Sequence, residues 1–344
     1  MRLGIFLCLI SIGLFSCNKS GGTPPALTPT NLVVNATVNP DNTGNVSFSA
    51  TATNAVEYEY DFGNGIFENI PSGLVQHKYN ASGNYTVKVT AKSSSGAAIS
   101  KSIDITVTVA MKLVWSDEFD TPGAPNSNKW GYDIGASGWG NNESQYYTDR
   151  RDNSYVTDGT LKIVAKKEAF SSSQYTSARL LSKGKYSFKY GKVEVRAKIP
   201  AGVGTWPAIW MLGDNIDTVS WPDCGEIDIM EHKGKDQGVT SSAIHNRSGY
   251  DDTPYVYFLN RVNDVSTNFH TYGMNWTKDK IEFFVDDVVH YTYSPANKNA
   301  NNWPFDKPQF ILLNVAMGGN LGGYIDPNFT QSSMEIDYVR VYQN

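Results

Sequence analysis

Three acidic side chains lie close together in the second half of the chain, at Glu226, Asp228 and Glu231. Carboxyl groups act in enzymes as proton donors, proton acceptors and nucleophiles, and these roles need different protonation states. Three like charges at close range are costly unless a proton is shared or the pKa values are pushed apart. A general acid and a nucleophile need that same condition, so these acids are the first candidates for catalysis.

The segment that must present these acids is EIDIME, in which acidic and apolar residues alternate as in a β-strand. Strict alternation would place Met230, and not Glu231, beside Glu226 and Asp228. One extra residue, a β-bulge, returns Glu231 to the acidic face and bends the strand so that the side chains converge. The alternative is a solvated acidic face on an edge strand, which the apolar residues opposite the acids disfavour.

The run GEIDIMEH contains the pattern E-x-D-x-x-E and resembles glycoside hydrolase family 16, and its context WPDCGEIDIME is similar to the laminarinase branch of endo-β-1,3-glucanases. Four other segments carry the same resemblance: GWGNNESQYYT at 138–148, SARLLSKGKYSFKYGKVEVRAKIP at 177–200, GTWPAIWMLG at 204–213 and NVAMGGNLGG at 314–323. Together the matching segments extend over nearly all of residues 111–344.

The resemblance implies an endo-acting, retaining glycosidase that uses two carboxyl groups. Glu226 is then the nucleophile, Glu231 is the general acid and base, and Asp228 hydrogen-bonds the nucleophile and tunes its charge. The implied substrate is laminarin-type β-1,3-glucan or mixed-linkage β-glucan. Agarose and carrageenan are alternatives on the same fold, but sulfated galactans favour a basic cleft and the sequence around the acids is not basic.

The same resemblance supplies candidates for substrate contact, because sugar-binding clefts combine aromatic faces with polar groups that bind hydroxyls. The stacking candidates are Trp206, Trp210 and Trp221, for which burial in the core is the alternative. The polar candidates, for which a surface ion pair or a turn-capping role is the alternative, are Asn142, Glu143, Arg179, His245 and Asn314.

No cofactor is expected for the chemistry, since the sequence has no HExxH motif, no Cys/His cluster and no EF-hand loop. The resemblance implies a structural Ca²⁺ with oxygen ligands from Glu118, the Gly159 carbonyl and Asp337, which would tie together the two ends of the domain. Acids without an ion are the alternative. Cys224 lies near the acids but is expected to be a small buried residue and not a nucleophile.

The N-terminus has the pattern of an export signal. Residues 1–16 contain one basic residue, Arg2, followed by an apolar run that is too short to span a bilayer. The sequence LFSC resembles a bacterial lipobox, which implies lipidation of Cys17 and attachment to the outer membrane or cell surface. An ordinary secretory signal is the alternative. Residues 17–30 are rich in Gly, Pro, Ser and Thr and are expected to form a flexible tether.

The composition divides the remaining chain near residue 110, because all eight Trp residues lie between Trp115 and Trp303. Residues 31–109 contain short alternating segments such as VSFSATA and YTVKVTA, which predict an Ig-like β-sandwich. The pieces YDFGNG and HKYNASGNYTVKVTA resemble PKD domains. Residues 111–344 have further strand patterns without a helical period, and the resemblance implies a concanavalin A-like β-jelly roll. The predicted fold class is therefore all-β, with the first sandwich as a spacer.

Two functions from different classes fit the sequence, an endo-β-glucanase and a non-catalytic, surface glycan-binding lipoprotein. The complete set of three acids favours the enzyme, because a binding protein does not need this costly arrangement. A net charge of −5 gives no argument for nucleic acid as a partner. The expected partners are β-glucan and the outer membrane, and the protein is expected to be a monomer.

Overall fold

The computed structural model describes residues 27–249 and 256–344. The predicted signal peptide (residues 1–16) and the lipidation site Cys17 lie outside the described residues. The chain divides into two compact units between Ala110 and Met111. Within the described ranges, no helix is long and apolar enough to cross a membrane.

The first unit consists of two antiparallel sheets, as the alternating sequence predicts. Its strands are β1 (Thr30–Val38), β2 (Asn45–Thr53), β3 (Glu57–Asp61), β4 (Phe67–Ile70), β5 (Leu74–Lys78), β6 (Gly83–Lys92) and β7 (Ala98–Val107). One sheet has the order β1-β2-β5 and the other has the order β4-β3-β6-β7. The core combines side chains from both sheets, including Phe48, Tyr60 and Val89. The predicted β-sandwich is therefore confirmed.

Almost all of the regular secondary structure of the second unit is β-strand. They are β8 (Lys112–Asp117), β9 (Gly131–Asp133), β10 (Gln145–Tyr147), β11 (Ser154–Thr157), β12 (Thr160–Phe170), β13 (Ser173–Ser177), β14 (Arg179–Leu181), β15 (Gly191–Lys198), β16 (Thr205–Gly213), β17 (Glu226–His232), β18 (Val239–His245), β19 (Val256–Arg261), β20 (His270–Trp276), β21 (Ile281–Val285), β22 (Val288–Tyr293), β23 (Gln309–Met317) and β24 (Gln331–Gln343). The described helical segments are a 3₁₀ turn at Arg247–Gly249 and the four-residue helix α1 (Gly319–Gly322).

Two sheets form the layers of this unit. The ten-stranded sheet has the order β10-β13-β12-β24-β15-β20-β21-β22, with β11 paired to β12 and β8 paired to β24. The seven-stranded sheet has the order β19-β18-β17-β16-β23-β14-β9. Apolar side chains of both sheets form one core, with Ile163 and Val195 from the first and Ile209 and Leu313 from the second. Burial of each such side chain contributes about 1.5–3 kcal/mol, which makes the sheets a firm support for the site.

The seven-stranded sheet has one face in the core and an opposite face that carries polar and aromatic side chains. Successive residues of a strand point to opposite faces. On β16, Ile209 and Met211 belong to the core, so Trp206 and Trp210 point to the other side. On β23, Asn314 points to that side as well. We call this side the outer face of the seven-stranded sheet.

Candidate active site

The strand that carries the three acids, β17, begins directly after a position that requires glycine. Gly225 has a φ of 78°, and a Cβ atom there would lie 2.8 Å from Pro304. Cys224 precedes it and is fully buried, as the sequence predicts. Burial raises the pKa of the Cys224 thiol to about 11, so the thiol is neutral and is not a nucleophile.

The predicted bulge in β17 is confirmed by its pairing with β16. Asp228 pairs with Trp210, and Met230 pairs with Ile209, which leaves Ile229 as one extra residue on β17. The shift returns the third acid of the strand to the outer face, beside the other two. The three apolar residues of β17 are buried in the core. A two-residue period alone would have separated the acids.

Each of the three carboxyl groups has a specific partner on the outer face. The indole N–H of Trp206 donates a hydrogen bond to Glu231 Oε1 at 2.9 Å. His245, at the end of the neighbouring strand β18, places its Nε2 2.9 Å from Asp228 Oδ2 and 3.7 Å from Glu226 Oε1. Asp228 is almost fully buried, with 4% of its surface exposed. The carboxyl groups are therefore held in place on the side away from the core.

Burial shapes the protonation of the two glutamates. It is the largest cause that raises the pKa of both Glu226 and Glu231, and the negative charge of Asp228 is the second. The His245 cation lowers both pKa values, and the Trp206 hydrogen bond lowers that of Glu231. A glutamate that holds its proton at higher pH than usual is suited to act as a general acid near neutral pH.

The surroundings of His245 favour the charged form of its imidazole. Burial disfavours the charged imidazole, but its close contact with Asp228 and the charges of Asp228, Glu226 and Glu231 raise the pKa of His245 to about 10. One side-chain nitrogen or oxygen atom from each of His245, Glu226 and Asp228 lies within 4.8 Å of the other two. The imidazolium supplies positive charge beside the carboxylates of Asp228 and Glu226.

The three candidate tryptophans have different environments. Trp221 is 41% exposed, and its side chain hydrogen-bonds Glu226. Trp210 donates its N–H to Asn314 Oδ1 at 2.8 Å, and the Arg179 guanidinium lies 4.6 Å from the centre of its ring. The exposed ring of Trp221 is thus the one best placed to meet a sugar, whereas Trp206 and Trp210 are also partners of other site residues.

Arg179 lies in the same row of the sheet as Glu231. The cross-strand partners in this row are Glu231 with Ala208, Ala208 with Asn314, and Asn314 with Arg179. The row ends at Asp133, whose Oδ2 lies 3.0 Å from Arg179 Nε. Strand register therefore brings Arg179 onto the outer face with the acids, and its charge is balanced by an aspartate.

Glu143 and Asn142 lie in a loop beside this row. Glu143 Oε2 accepts hydrogen bonds from Gln145 Nε2 at 2.6 Å and from the Tyr147 hydroxyl at 3.0 Å. Burial raises the pKa of Glu143, and these two hydrogen bonds oppose it. Asn142 Nδ2 donates to Asn320 Oδ1 at 2.9 Å, which joins the loop to α1. Glu143 is thus tied to the site, while Asn142 holds the loop.

Sequence reasoning missed two aromatic residues of this site. The fully buried Tyr147 accepts a hydrogen bond from Asn314 Nδ2 at 3.0 Å and so connects Asn314 to Glu143. The ring of Trp139 lies 5.1 Å from the Arg179 guanidinium, on which Trp210 also packs. Both missed residues belong to the segment GWGNNESQYYT. The alternation of its QYY portion was the available signal for an inward-pointing tyrosine.

Of the residues expected to hold calcium, Asp337 lies on β24, and Glu118 and Gly159 lie directly after β8 and directly before β12, the strands that pair with β24. Their oxygen donors suit this ion. However, Arg340 donates to both carboxylate oxygens of Glu118, with Nε 3.1 Å from Oε1 and Nη2 2.8 Å from Oε2, and Arg196 forms an ion pair with Asp337. An ion bound by Glu118, Gly159 and Asp337 would share these two carboxylates with the guanidinium groups or replace them. Calcium binding therefore stays a prediction.

Comparisons with known proteins agree with the two-part organisation. The sequence profile of glycosyl hydrolases family 16 matches residues 141–340, and that of the PKD domain matches residues 31–107. Beta-glucanase from Rhodothermus marinus is 43% identical over 249 residues, which cover 67% of this chain and 85% of that protein. Glucan endo-1,3-beta-glucosidase A1 from Niallia circulans is 37% identical over 263 residues, which cover 68% of this chain and 38% of that protein.

A solved structure gives the same result for the fold. The laminarinase from Flavobacterium sp. UMI-01 is 42% identical, with a TM-score of 0.64, and the match covers 67% of this chain and 100% of that one. The predicted jelly roll of the second unit is thereby confirmed. The family profile, the identity to these relatives and the three acids on one face of the fold lead to one conclusion. The chain is a glycoside hydrolase and belongs to glycosyl hydrolases family 16.

Proposed function

We propose that the protein is an endo-acting, retaining β-glucanase that cleaves laminarin-type β-1,3-glucan or mixed-linkage β-glucan. The observation that carries this proposal is the placement of Glu226 and Glu231 on one face of β17, on either side of Asp228. Desolvation and the negative charge of that aspartate raise the pKa values of both glutamates, and each side chain keeps part of its surface exposed on the outer face. Relatives whose names specify β-glucanase or endo-1,3-β-glucosidase activity support the choice of substrate.

The proposed reaction has two steps, each with a role for both glutamates. In the first, ionised Glu226 attacks the anomeric carbon, and Glu231 gives its proton to the departing glycosidic oxygen. The glycosidic bond breaks as the bond from the glutamate oxygen to carbon forms. In the second, Glu231 takes a proton from water, the water oxygen attacks the anomeric carbon, and Glu226 is released. The anomeric configuration is inverted twice and therefore retained.

A neutral substrate fits the charges of the outer face better than a sulfated one. The arginine closest to the acids by strand register, Arg179, is neutralised by Asp133. The His245 cation is matched by Asp228. Neither cation is left without a carboxylate, so a sulfate group would gain little from them. Trp221, exposed at the edge of the acids, offers the aromatic face that a glucose ring requires.

An activity screen tests the proposal. Purified protein and a Glu226→Gln control would be incubated with laminarin, lichenan, agarose and carrageenan, and reducing ends would be measured. We expect the native protein, and not the Glu226→Gln control, to cleave laminarin internally. Proton NMR should show that the first product has the β configuration. Binding to laminarin without cleavage would favour the glycan-binding alternative, and an α-configured first product would contradict the retaining mechanism. Cleavage of agarose or carrageenan alone would overturn the choice of substrate.

We also propose that the enzyme is exported and attached to the cell envelope through a lipid on Cys17. The support is the sequence of residues 1–17, with its short apolar run and lipobox-like end. A polar tether without acyl chains has no apolar surface with which to anchor. A Cys17→Ala variant should therefore leave the membrane fraction. If it still sediments with membranes after a salt wash, the lipid anchor is wrong.

A further inference from the structure

We propose that His245 is a positioning residue whose cation, in contact with Asp228 and close to Glu226, keeps Glu226 ionised, so that the proton needed for catalysis resides on Glu231. This inference deepens the proposed function and rests on its assignment of the two glutamates. The sequence-based expectation that His245 contacts substrate stays a prediction beside this role.

The geometry places His245 between two acids. On β18 it lies directly opposite Glu226 in the antiparallel register. Its Nε2 is 2.9 Å from Asp228 Oδ2 and 3.7 Å from Glu226 Oε1. The Asp228 side chain is only 5% exposed. A carboxylate so buried must be paired with a cation or be protonated, and the imidazolium of His245 is the cation in contact with it.

Counting charges shows what this cation changes. The form that starts the reaction needs Glu226 ionised and Glu231 protonated. With Asp228 ionised and His245 charged, the four groups then carry a net charge of −1. Without the cation the same form would carry −2 in a buried site, and a second proton would be favoured. A second proton taken up by Glu226 would inactivate the nucleophile.

The other charged groups near His245 do not replace this role. Among the described residues, the carboxylates that act on His245 are Asp228, Glu226 and Glu231. On the opposite side of β17, Arg179 is a second cation that acts on Glu226. Arg179 contacts Asp133 and two tryptophan rings. Among the described ion pairs, that of Asp228 is with His245, so a lost imidazolium is not compensated at Asp228.

The decisive experiment is a His245→Gln substitution read through the pH profile of kcat/KM on laminarin. Glutamine keeps a hydrogen-bond donor but has no charge. The acidic limb of the profile reports the ionisation of Glu226. Removing the cation this close to Glu226 should move that limb to higher pH by about 1–3 units. His245→Lys, which restores a cation, should return the limb toward its native position.

A double variant separates charge from other effects. Asp228 and His245 act on Glu226 in opposite directions. Adding Asp228→Asn to His245→Gln should therefore bring the acidic limb back to lower pH. A raised KM with an unmoved acidic limb would overturn the proposal in favour of substrate binding. An equal loss of activity at every pH, together with a lower melting temperature, would overturn it in favour of a merely structural role.

A measurement without substrate keeps this inference distinct from the proposed function. The measurement is the NMR titration of the imidazole signals of the five histidines. The signal that is missing from the spectrum of His245→Gln is that of His245. We expect that signal to remain in the protonated form through neutral pH and to titrate only well above it. Titration at the ordinary histidine pKa of about 6.5 would overturn the inference even in an active glucanase. A charged His245 in a protein that cleaves no glucan would instead count against the proposed function alone.

Discussion

Replacing Trp206 by Phe should move the basic limb of the pH–activity profile to higher pH. Burial raises the pKa of Glu231, and the hydrogen bond from the Trp206 indole N–H at 2.9 Å opposes burial by favouring the ionised carboxylate. Phenylalanine keeps an aromatic face but has no donor. Because Glu231 must be protonated to act as the acid, the variant should hold that proton, and remain competent, at higher pH than the native enzyme.

The size of the shift follows from the energy of one hydrogen bond. A hydrogen bond to a charged group contributes about 1.5–3 kcal/mol, and one pKa unit corresponds to about 1.4 kcal/mol. We therefore expect the basic limb to rise by about 1–2 pH units. The assay is kcat/KM on laminarin at low substrate concentration, measured from acid to alkaline pH in buffers of constant ionic strength.

Trp210→Phe is the matched control for this prediction. Trp210 lies on the same strand and face, but its N–H donates to the Asn314 side chain and not to an acid. Its loss should leave the basic limb where it is. If Trp206→Phe raises KM and leaves the basic limb unmoved, the indole acts as a surface for sugar and the reasoning from its N–H is refuted. An equal shift in both variants would also refute it, because the cause would then not be the contact with Glu231.

Three further predictions concern the acids, the domain boundary and calcium. Glu226→Gln should be inactive on every glucan, whereas Glu231→Ala should cleave an activated aryl glycoside and be rescued by azide to give a β-glycosyl azide. If Glu231→Ala gives an α-glycosyl azide, or if azide rescues a Glu226 variant and not Glu231→Ala, Glu231 is the nucleophile and Glu226 is the general acid and base. Residues 111–344 alone should fold and keep full turnover on soluble glucan, because the acids and all tryptophans lie there; circular dichroism and kcat would reveal a failure. Saturating Ca²⁺ should raise the melting temperature, since an ion at 100 times its Kd stabilises the native state by about 2.7 kcal/mol. If Ca²⁺ leaves the melting temperature of both the native protein and Glu118→Gln unchanged, the calcium site is wrong and Glu118 pairs with Arg340 alone.

Local patterns allowed much of the catalytic strand to be predicted. The alternation in EIDIME determines which residues face the core, and the spacing of its acids requires one extra residue if all three are to share a face. Both features depend on neighbours within one strand. The buried Ile229 and the shifted pairing of β17 with β16 agree with this reasoning. The all-β class was likewise predictable, since strand periodicity recurs along both units.

The partners of the acids were beyond the reach of local patterns. Trp206 contacts Glu231 across 25 positions of sequence, and Trp210 contacts Asn314 across 104. Such contacts depend on which strands are neighbours and on their register, and neither is encoded in a single strand. Sequence reasoning therefore placed the tryptophans near substrate but could not separate a free aromatic face from an indole that holds a carboxyl group. The ion pair of His245 was missed for the same reason.

The electrostatics of β17 oppose folding, and the core beneath it makes that tolerable. Because burial raises the pKa values of Glu226 and Glu231, the folded protein binds more protons than the unfolded chain above the ordinary glutamate pKa of about 4.3. The contribution of these two groups to stability therefore falls as the pH rises from the ordinary glutamate pKa to the raised pKa values of the folded state. The apolar residues on the opposite face of the same strand are fully buried and contribute about 1.5–3 kcal/mol each. One strand thus supplies both the destabilising carboxyl groups and the packing that holds them, which is why the bulge must keep the two faces distinct.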